Sequence, residues 1–264
     1  ALRLFYTEHM GVKKPKKDIY HRWAYSKVRR LFSISQATYH RNLSAFPLPK
    51  ARIQQLYYGI NLAAYEPVLN ESERTSIRQS LGVDEAAIAI ALPGRISESK
   101  GHGCWVDALA QLRRKPGLPA WQGVIIGEAG GLEAMPGGFA DQLKARVSQL
   151  GLSQDVVFAG FRDDLARCLM AMDIVCIPSM NEAFGLSVIE AMAAGCPVVG
   201  SNAGAIPELI TADRGCVAPP DDPLAWADAL VDLIANEPQR LQLGANASRW
   251  VNANFGLDQH ASRL

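Results

Sequence analysis

The sequence predicts an α/β protein built on a doubly wound parallel sheet, with a second, incomplete α/β unit ahead of it. Three observations carry this. Beyond residue 67, apolar runs of strand length alternate with helical patterns. Those runs are continuous rather than alternating in polarity, as befits strands buried on both faces. Finally, 48% of the 264 residues are hydrophobic, enough to fill a sizeable core in one or two domains.

Two main blocks and a tail follow in order. Residues 1–66 hold an apolar strand (Leu2 to Thr7), a basic helical stretch (Ile19 to Arg30), a strand (Leu31 to Ser35), a helix opened by Ser35, and a strand (Ile53 to Tyr57). The turn-like Tyr58-Gly59-Ile60-Asn61 ends this block. Residues 67–250 hold strands at Ala87 to Leu92, Gly123 to Gly127, Val156 to Ala159, Ile174 to Pro178, Pro197 to Gly200 and Cys216 to Ala218. Helices are expected near 101–114, 138–150, 163–171, 185–194, 205–211, 222–235 and 237–252. Residues 251–264 are expected to form a C-terminal helix that crosses back to the first unit. The regular block is Rossmann-like, and such sheets bind ligands outside the carboxyl ends of their strands.

Composition narrows the function classes. No run of 18 apolar residues reads as a membrane span, and Ala1 to His9 does not read as a signal peptide. Cys104, Cys168, Cys176, Cys196 and Cys216 are odd in number, widely spaced and without a C-x-x-C pair, which favours free thiols in a reducing compartment, the cytoplasm. The net charge of +1 conceals an asymmetry: residues 1–50 carry eleven Lys/Arg against Glu8 and Asp18, so the remainder is acidic. Residues 13–30 combine Lys13, Lys14, Lys16, Lys17, Arg22, Lys27, Arg29 and Arg30 with Tyr20, Trp23 and Tyr25. That stretch is either a solvated face or a contact with an anionic membrane at its inner surface; nucleic acid is not the expected partner.

Chemistry concentrates in two loops. After the first strand of the regular block comes Pro93-Gly94-Arg95-Ile96-Ser97-Glu98-Ser99-Lys100-Gly101. A glycine that admits close backbone approach, two cations five residues apart and a following helix N-terminus suit a diphosphate. Neither the G-x-x-x-x-G-K-[ST] nor the G-x-G-x-x-G spacing is present, and taken alone a charged surface loop remains open. After Ile177 comes Pro178-Ser179-Met180-Asn181-Glu182-Ala183-Phe184-Gly185-Leu186-Ser187-Val188-Ile189-Glu190. Eight residues span about 12 Å along a helix axis, too far for a glycosidase acid/base pair at about 5–9.5 Å. The spacing suits the two ends of a nucleotide sugar, with the diphosphate over the N–H groups of Gly185, Leu186 and Ser187. Glu190, on an otherwise apolar helix, is expected to be buried and to have a partner.

These residues resemble glycosyltransferase family 4, the group 1 retaining transferases of GT-B fold. The resemblance rests on Glu182 and Glu190 with seven residues between them, on Gly94, Arg95, Lys100 and Gly101, and on Gly204-Ala205-Ile206-Pro207-Glu208, and it runs from about Thr7 to Phe255. It implies transfer from a UDP-, GDP- or ADP-sugar with retention of configuration, to a glycan or lipid-linked acceptor. It implies that Arg95 and Lys100 stabilise the leaving diphosphate, that Glu182 holds the sugar, and that Glu190 holds the ribose. The base is expected against Gly160-Phe161-Arg162, and Phe184 is expected at the donor. No cofactor and no metal site are implied, and the sequence has no Asp-x-Asp. Asp163-Asp164 is read as a helix cap. The sequence departs from the family pattern at Ala183, at Ala205 and in the linker Tyr58-Gly59-Ile60-Asn61. His9 matches the end of a late strand of the acceptor-side unit and is not assigned a catalytic role.

Only about sixty residues precede the linker and the chain begins without Met, so a longer protein is expected, of which this piece binds donor and leaves apolar surface for a homodimer. The alternatives are a nucleotide-sugar-binding module without transfer activity and a sugar-nucleotide epimerase of the same fold.

Overall fold

The computed structural model describes residues 4–12 and 14–264. Leu2 of the expected first strand and Lys13 of the basic stretch lie outside the described residues.

The first unit contains β1 (Leu4–Glu8), α1 (Ile19–Ser26), β2 (Val28–Ser33), α2 (Gln36–Ala45) and β3 (Ile53–Gln55). Its three strands are parallel, in the order β1-β2-β3. Val28, Leu31, Ala45, Phe46, Leu48 and Ile53 form its core. Ser35 opens α2 as expected, accepting from Thr38 N, while the Thr38 hydroxyl accepts from Ser35 N. This reciprocal cap satisfies one otherwise free helix amide. The basic helical stretch is shorter than expected. It ends at Ser26, because Val28 and Leu31 are drawn into the core, and Arg29 and Arg30 therefore lie exposed on β2.

The second unit contains α3 (Glu71–Leu81), β4 (Ile88–Pro93), α4 (His102–Leu112), β5 (Trp121–Ile126), α5 (Phe139–Gln149), β6 (Val156–Gly160), α6 (Leu165–Met170), β7 (Ile174–Ile177), α7 (Leu186–Ala193), β8 (Val198–Ser201), α8 (Ile206–Leu209) and β9 (Gly215–Ala218). After these come α9 (Pro223–Ala235), α10 (Glu237–Asn254) and α11 (Leu257–Ser262). Six parallel strands run in the order β6-β5-β4-β7-β8-β9. The chain builds outward from β4 through β5 to β6, then returns to pair β7 on the opposite edge of β4. The switch in direction falls between β4 and β7, where such sheets open a crevice.

The continuous apolar strands are explained by two cores. Along β4, Ala89 and Ala91 face one core while Ile90 and Leu92 face the other. Along β7, Val175 and Ile177 alternate in the same way with Ile174 and Cys176. The first core is closed by α3, α6, α7 and α10, the second by α4, α5 and α9. Each buried Val, Leu or Ile contributes about 1.5–3 kcal/mol.

One helix has no counterpart in the sequence reading. α3 starts on an Asn70–Glu73 capping box and stops at Gly82, in the left-handed region at φ 77°. It positions Arg74 and Arg78, which converge on Asp173 at 2.6 and 2.5 Å, and Asp173 also accepts from Ala89 N at 2.7 Å. This network ties α3 to β4 and to the residue that precedes β7.

The linker and the C-terminal segment hold the units together at two points. Ile60 N, in the linker, donates to Phe255 O at 2.7 Å, and His260 Nδ1 of α11 donates to Tyr57 O at 2.6 Å. α10 runs unbroken through residue 250, so the tail begins within it. Tyr57, Tyr58, Phe184, Trp250 and Phe255 pack as one aromatic group at this junction. Among the described residues no helix is long and apolar enough to cross a membrane. All five cysteines are free thiols.

Candidate functional site

The loop after β4 and the loop after β7 meet at the switch point. Gly94 N donates to Ile126 O and Ile96 N to Glu128 O, which laces the first loop to the end of β5. Met180 N donates to Ser99 O at 2.9 Å, which laces the second loop to the first. Gly101, at φ 75°, closes the contact: a Cβ there would lie 2.1 Å from Pro178 O. No other residue fits that approach.

The charged side chains are then set by these backbones. Lys100 Nζ donates to Glu182 Oε2 at 2.7 Å, with side chains 35% and 21% exposed. The two residues given separate roles by the family resemblance therefore pair directly. Glu182 is held from behind. Ala205 N donates to Glu182 O at 2.9 Å, and a Cβ on Gly204 would lie 2.3 Å from that same oxygen.

Arg95 is exposed and makes no ion pair among the described residues. With Gly94, Gly127, Glu128, Phe161 and Arg162 it lines a cavity of about 330 Å³ at the ends of β4, β5 and β6. Phe161 presents a ring that is 70% exposed. Arg162 is engaged: its guanidinium forks onto Asp164 with two bonds of 2.7 Å. That cation holds the Asp164 carboxyl below its ordinary range. Asp164 does occupy the N-cap position of α6, but its side chain caps no amide, because Arg162 takes it.

Two expectations change. Phe184, expected at the donor, is only 2% exposed and is packed against Tyr57 and Phe255. Its ring anchors the loop rather than facing the cleft. Glu190 lies on the second turn of α7 and is half-buried, yet among the described residues its carboxylate has no hydrogen-bond partner, contrary to the expectation of one. Burial without a partner raises its carboxyl above the ordinary range. No ion pair links Glu190 to Arg95, Lys100 or Glu182 among the described residues. Gly185, at φ 105°, precedes α7 without a side-chain cap, so the amides of Leu186 and Ser187 open the helix uncapped. Leu186 is 43% exposed at that end, and Ser187 is half-buried beside it.

The sequence reading missed His102. The imidazole is fully buried beside the loop, where burial drives it down to about 4 and keeps it neutral. Its Nδ1 donates to Ser97 O at 3.2 Å and braces the Arg95–Lys100 turn. The available signal was a histidine opening a helix immediately after Gly101. His9 stacks on Tyr58 of the linker, with ring centroids 5.8 Å apart.

At the carboxyl ends of the strands the arrangement offers the unpaired Arg95 guanidinium, uncapped N–H groups at the start of α7, the exposed Phe161 ring and the Lys100–Glu182 pair. A family model for the glycosyl transferases group 1 matches residues 73–250. The chain belongs to that family. It is similar to the lipopolysaccharide core biosynthesis mannosyltransferase LpsB of Rhizobium meliloti, at 29% identity over 92% of this chain and 66% of the relative. It is similar also to the D-inositol 3-phosphate glycosyltransferase of Jonesia denitrificans, at 36% identity over 72% of this chain and 45% of the relative. The crystal structure of Anabaena Alr3699/HepE in complex with UDP and glucose superposes with a TM-score of 0.82, at 26% identity over 93% of this chain and 64% of that one. The chain thus spans between about half and two thirds of the length of these proteins. Its architecture is the GT-B fold of the group 1 glycosyltransferases.

Proposed function

We propose that this chain is the donor-binding part of a retaining, metal-independent glycosyltransferase that moves a sugar from a UDP-, GDP- or ADP-sugar to a glycan or lipid-linked acceptor. The observation that carries the reading is the convergence of the two switch-point loops, with Arg95 unpaired, Lys100 on Glu182 and the start of α7 uncapped. In this reading Arg95, Lys100 and the amides of Leu186 and Ser187 receive the diphosphate, and charge developing on the leaving group meets fixed donors. Glu182 exchanges Lys100 for sugar hydroxyls, Glu190 gains its missing partners from the ribose, and Phe161 and Arg162 flank the base. The solved relative's UDP and glucose support a nucleotide-sugar donor. On its own, this chain is proposed to hold the donor without transferring efficiently, since it spans only part of its relatives' length.

The test is a thermal-shift screen of UDP-, GDP- and ADP-sugars in EDTA. A ligand at 100 times its Kd stabilises by about 2.7 kcal/mol, and at about 2–4 °C per kcal/mol the shift is about 5–10 °C. One nucleotide class is expected to produce it. Silence from all three, or a shift that appears only with Mn²⁺, would overturn the reading.

The free thiols support a cytoplasmic site of action. Contact with the inner face of an anionic membrane is proposed through α1 and its flanks. Ile19, Tyr20 and Trp23 are 88%, 66% and 68% exposed there, beside Lys14, Lys17, Arg22 and Lys27. Vesicles containing anionic lipid are expected to co-sediment the chain at low salt, and equal pelleting by neutral vesicles would refute the contact. A homodimer through residues 1–60 is supported by Leu4 and Phe5, exposed on β1, and light scattering giving the monomer mass at all concentrations would exclude it.

A further inference from the structure

The Gly204–Glu208 segment does more than back Glu182. Glu208, on α8, reaches out of the second unit and into the first. Its two carboxylate oxygens accept from the first two amides of α2, Gln36 N and Ala37 N, both at 2.7 Å. The Tyr57 hydroxyl, in the linker, donates to Oε2 of the same carboxylate at 3.0 Å. Burial and that carboxylate push Tyr57 up to about 12, so the hydroxyl stays a donor. The opening amides of α2 are thus divided between two sources. Thr38 N is satisfied within its own unit by Ser35, whereas Gln36 N and Ala37 N depend on a side chain about 170 residues away in sequence. An anion is favoured there by the helix dipole as well as by the two bonds.

The other end of the same segment holds Glu182. Ala205 N donates to Glu182 O, and Gly204 lies against the Glu182 backbone too closely for any side chain. Only two residues lie between Ala205 and Glu208, and Ile206 and Leu209 between and beside them are buried in the core, so the segment behaves as one rigid piece.

We infer that Glu208 is a positioning residue: a latch that fixes the first unit over the cleft and ties that orientation to the placement of Glu182. The link to donor rests on reading Glu182 as the sugar-holding carboxylate; the latch itself does not. A ligand that engages Glu182 then favours the latched orientation, and by reciprocity the latched orientation favours that ligand.

The test is residue-resolved hydrogen exchange by NMR on the 264-residue chain, with and without UDP-glucose, for the native protein, Glu208→Ala and Tyr57→Phe. Without ligand, Glu208→Ala is expected to speed exchange at Gln36 and Ala37 at least about tenfold while Thr38, held by Ser35, keeps its rate, and the radius of gyration from X-ray scattering is expected to rise. Tyr57→Phe, which removes one bond of three and leaves the fold intact, is expected to give a smaller change of the same sign. Unchanged Gln36 and Ala37 rates in both variants would overturn the latch. With UDP-glucose, exchange at Gln36 and Ala37 is expected to slow in the native chain and not in Glu208→Ala. A merely structural contact would not respond to donor, so a native response of zero with donor bound would overturn the coupling. Failure of donor to bind at all would strike the functional reading and leave the ligand-free result standing.

Discussion

Replacing Asp173 with alanine is expected to destabilise the chain by about 3–5 kcal/mol, the usual cost of stranding a buried charge. Asp173 is the common acceptor for Arg74, Arg78 and Ala89 N, and the Arg78 side chain is only 6% exposed. Arg78 also donates to the carbonyls of Ala171, Glu85 and Ala87, so it cannot swing out to water without breaking three further bonds. Asp173→Asn keeps the shape and loses the charge, and is expected to cost less. Urea denaturation measures both through the midpoint at constant slope. A loss below about 1 kcal/mol for Asp173→Ala would show that Arg78 relaxes freely, which its surroundings argue against.

Arg95→Ala and Lys100→Ala are each expected to weaken UDP by about 10–150-fold, the equivalent of one charged hydrogen bond of about 1.5–3 kcal/mol. Uridine, which lacks the diphosphate, is expected to bind within about twofold of native. Glu190→Gln is expected to behave differently, weakening UDP and uridine by similar factors, because the ribose is common to both. Calorimetric titration of the two ligands separates the cases, and equal losses for Lys100→Ala would remove it from the diphosphate. Glu190 carries a second signature. Its carboxyl is raised by burial, so the ionised form works against the folded state, and that penalty grows as pH rises through the raised value and vanishes as pH falls. Glu190→Gln should therefore raise the ligand-free Tm at pH 7 and lose the advantage in acid.

The regular unit was legible because its sheet is buried on both faces. Strands such as Ile88–Pro93 and Ile174–Ile177 have no polar face to confuse the pattern, and α4, α7 and α9 are apolar over most of their surface. α3 escaped because its residues, ESERTSIRQSL, are mostly polar and bury only Arg78 and Leu81. Its signal lay in the Asn70…Glu73 cap and Gly82, not in periodicity. Arg29 and Arg30 were drawn into the basic helix because exposed cations are tolerated equally well on a helix and on the solvent side of a strand such as β2. At the site, local sequence revealed which residue types gather in the two loops. It did not reveal that Lys100 closes on Glu182, that Phe184 turns inward or that Glu208 reaches α2, since each depends on a partner more than seventy residues away.

The double crossing at Ile60 and Phe255 has a mechanical consequence. A single connecting segment acts as a ball joint, about which one body swivels in any direction. Here the outgoing and returning segments lie side by side, held by Ile60 N on Phe255 O, with Gly59 packed so closely on Gly256 that a Cβ would sit 2.8 Å from its carbonyl oxygen. Two adjacent attachment points define an axle rather than a pivot. Twisting of one unit against the other is resisted by such a pair, and the bonds from Gln36 N and Ala37 N to Glu208 add a further attachment between the units.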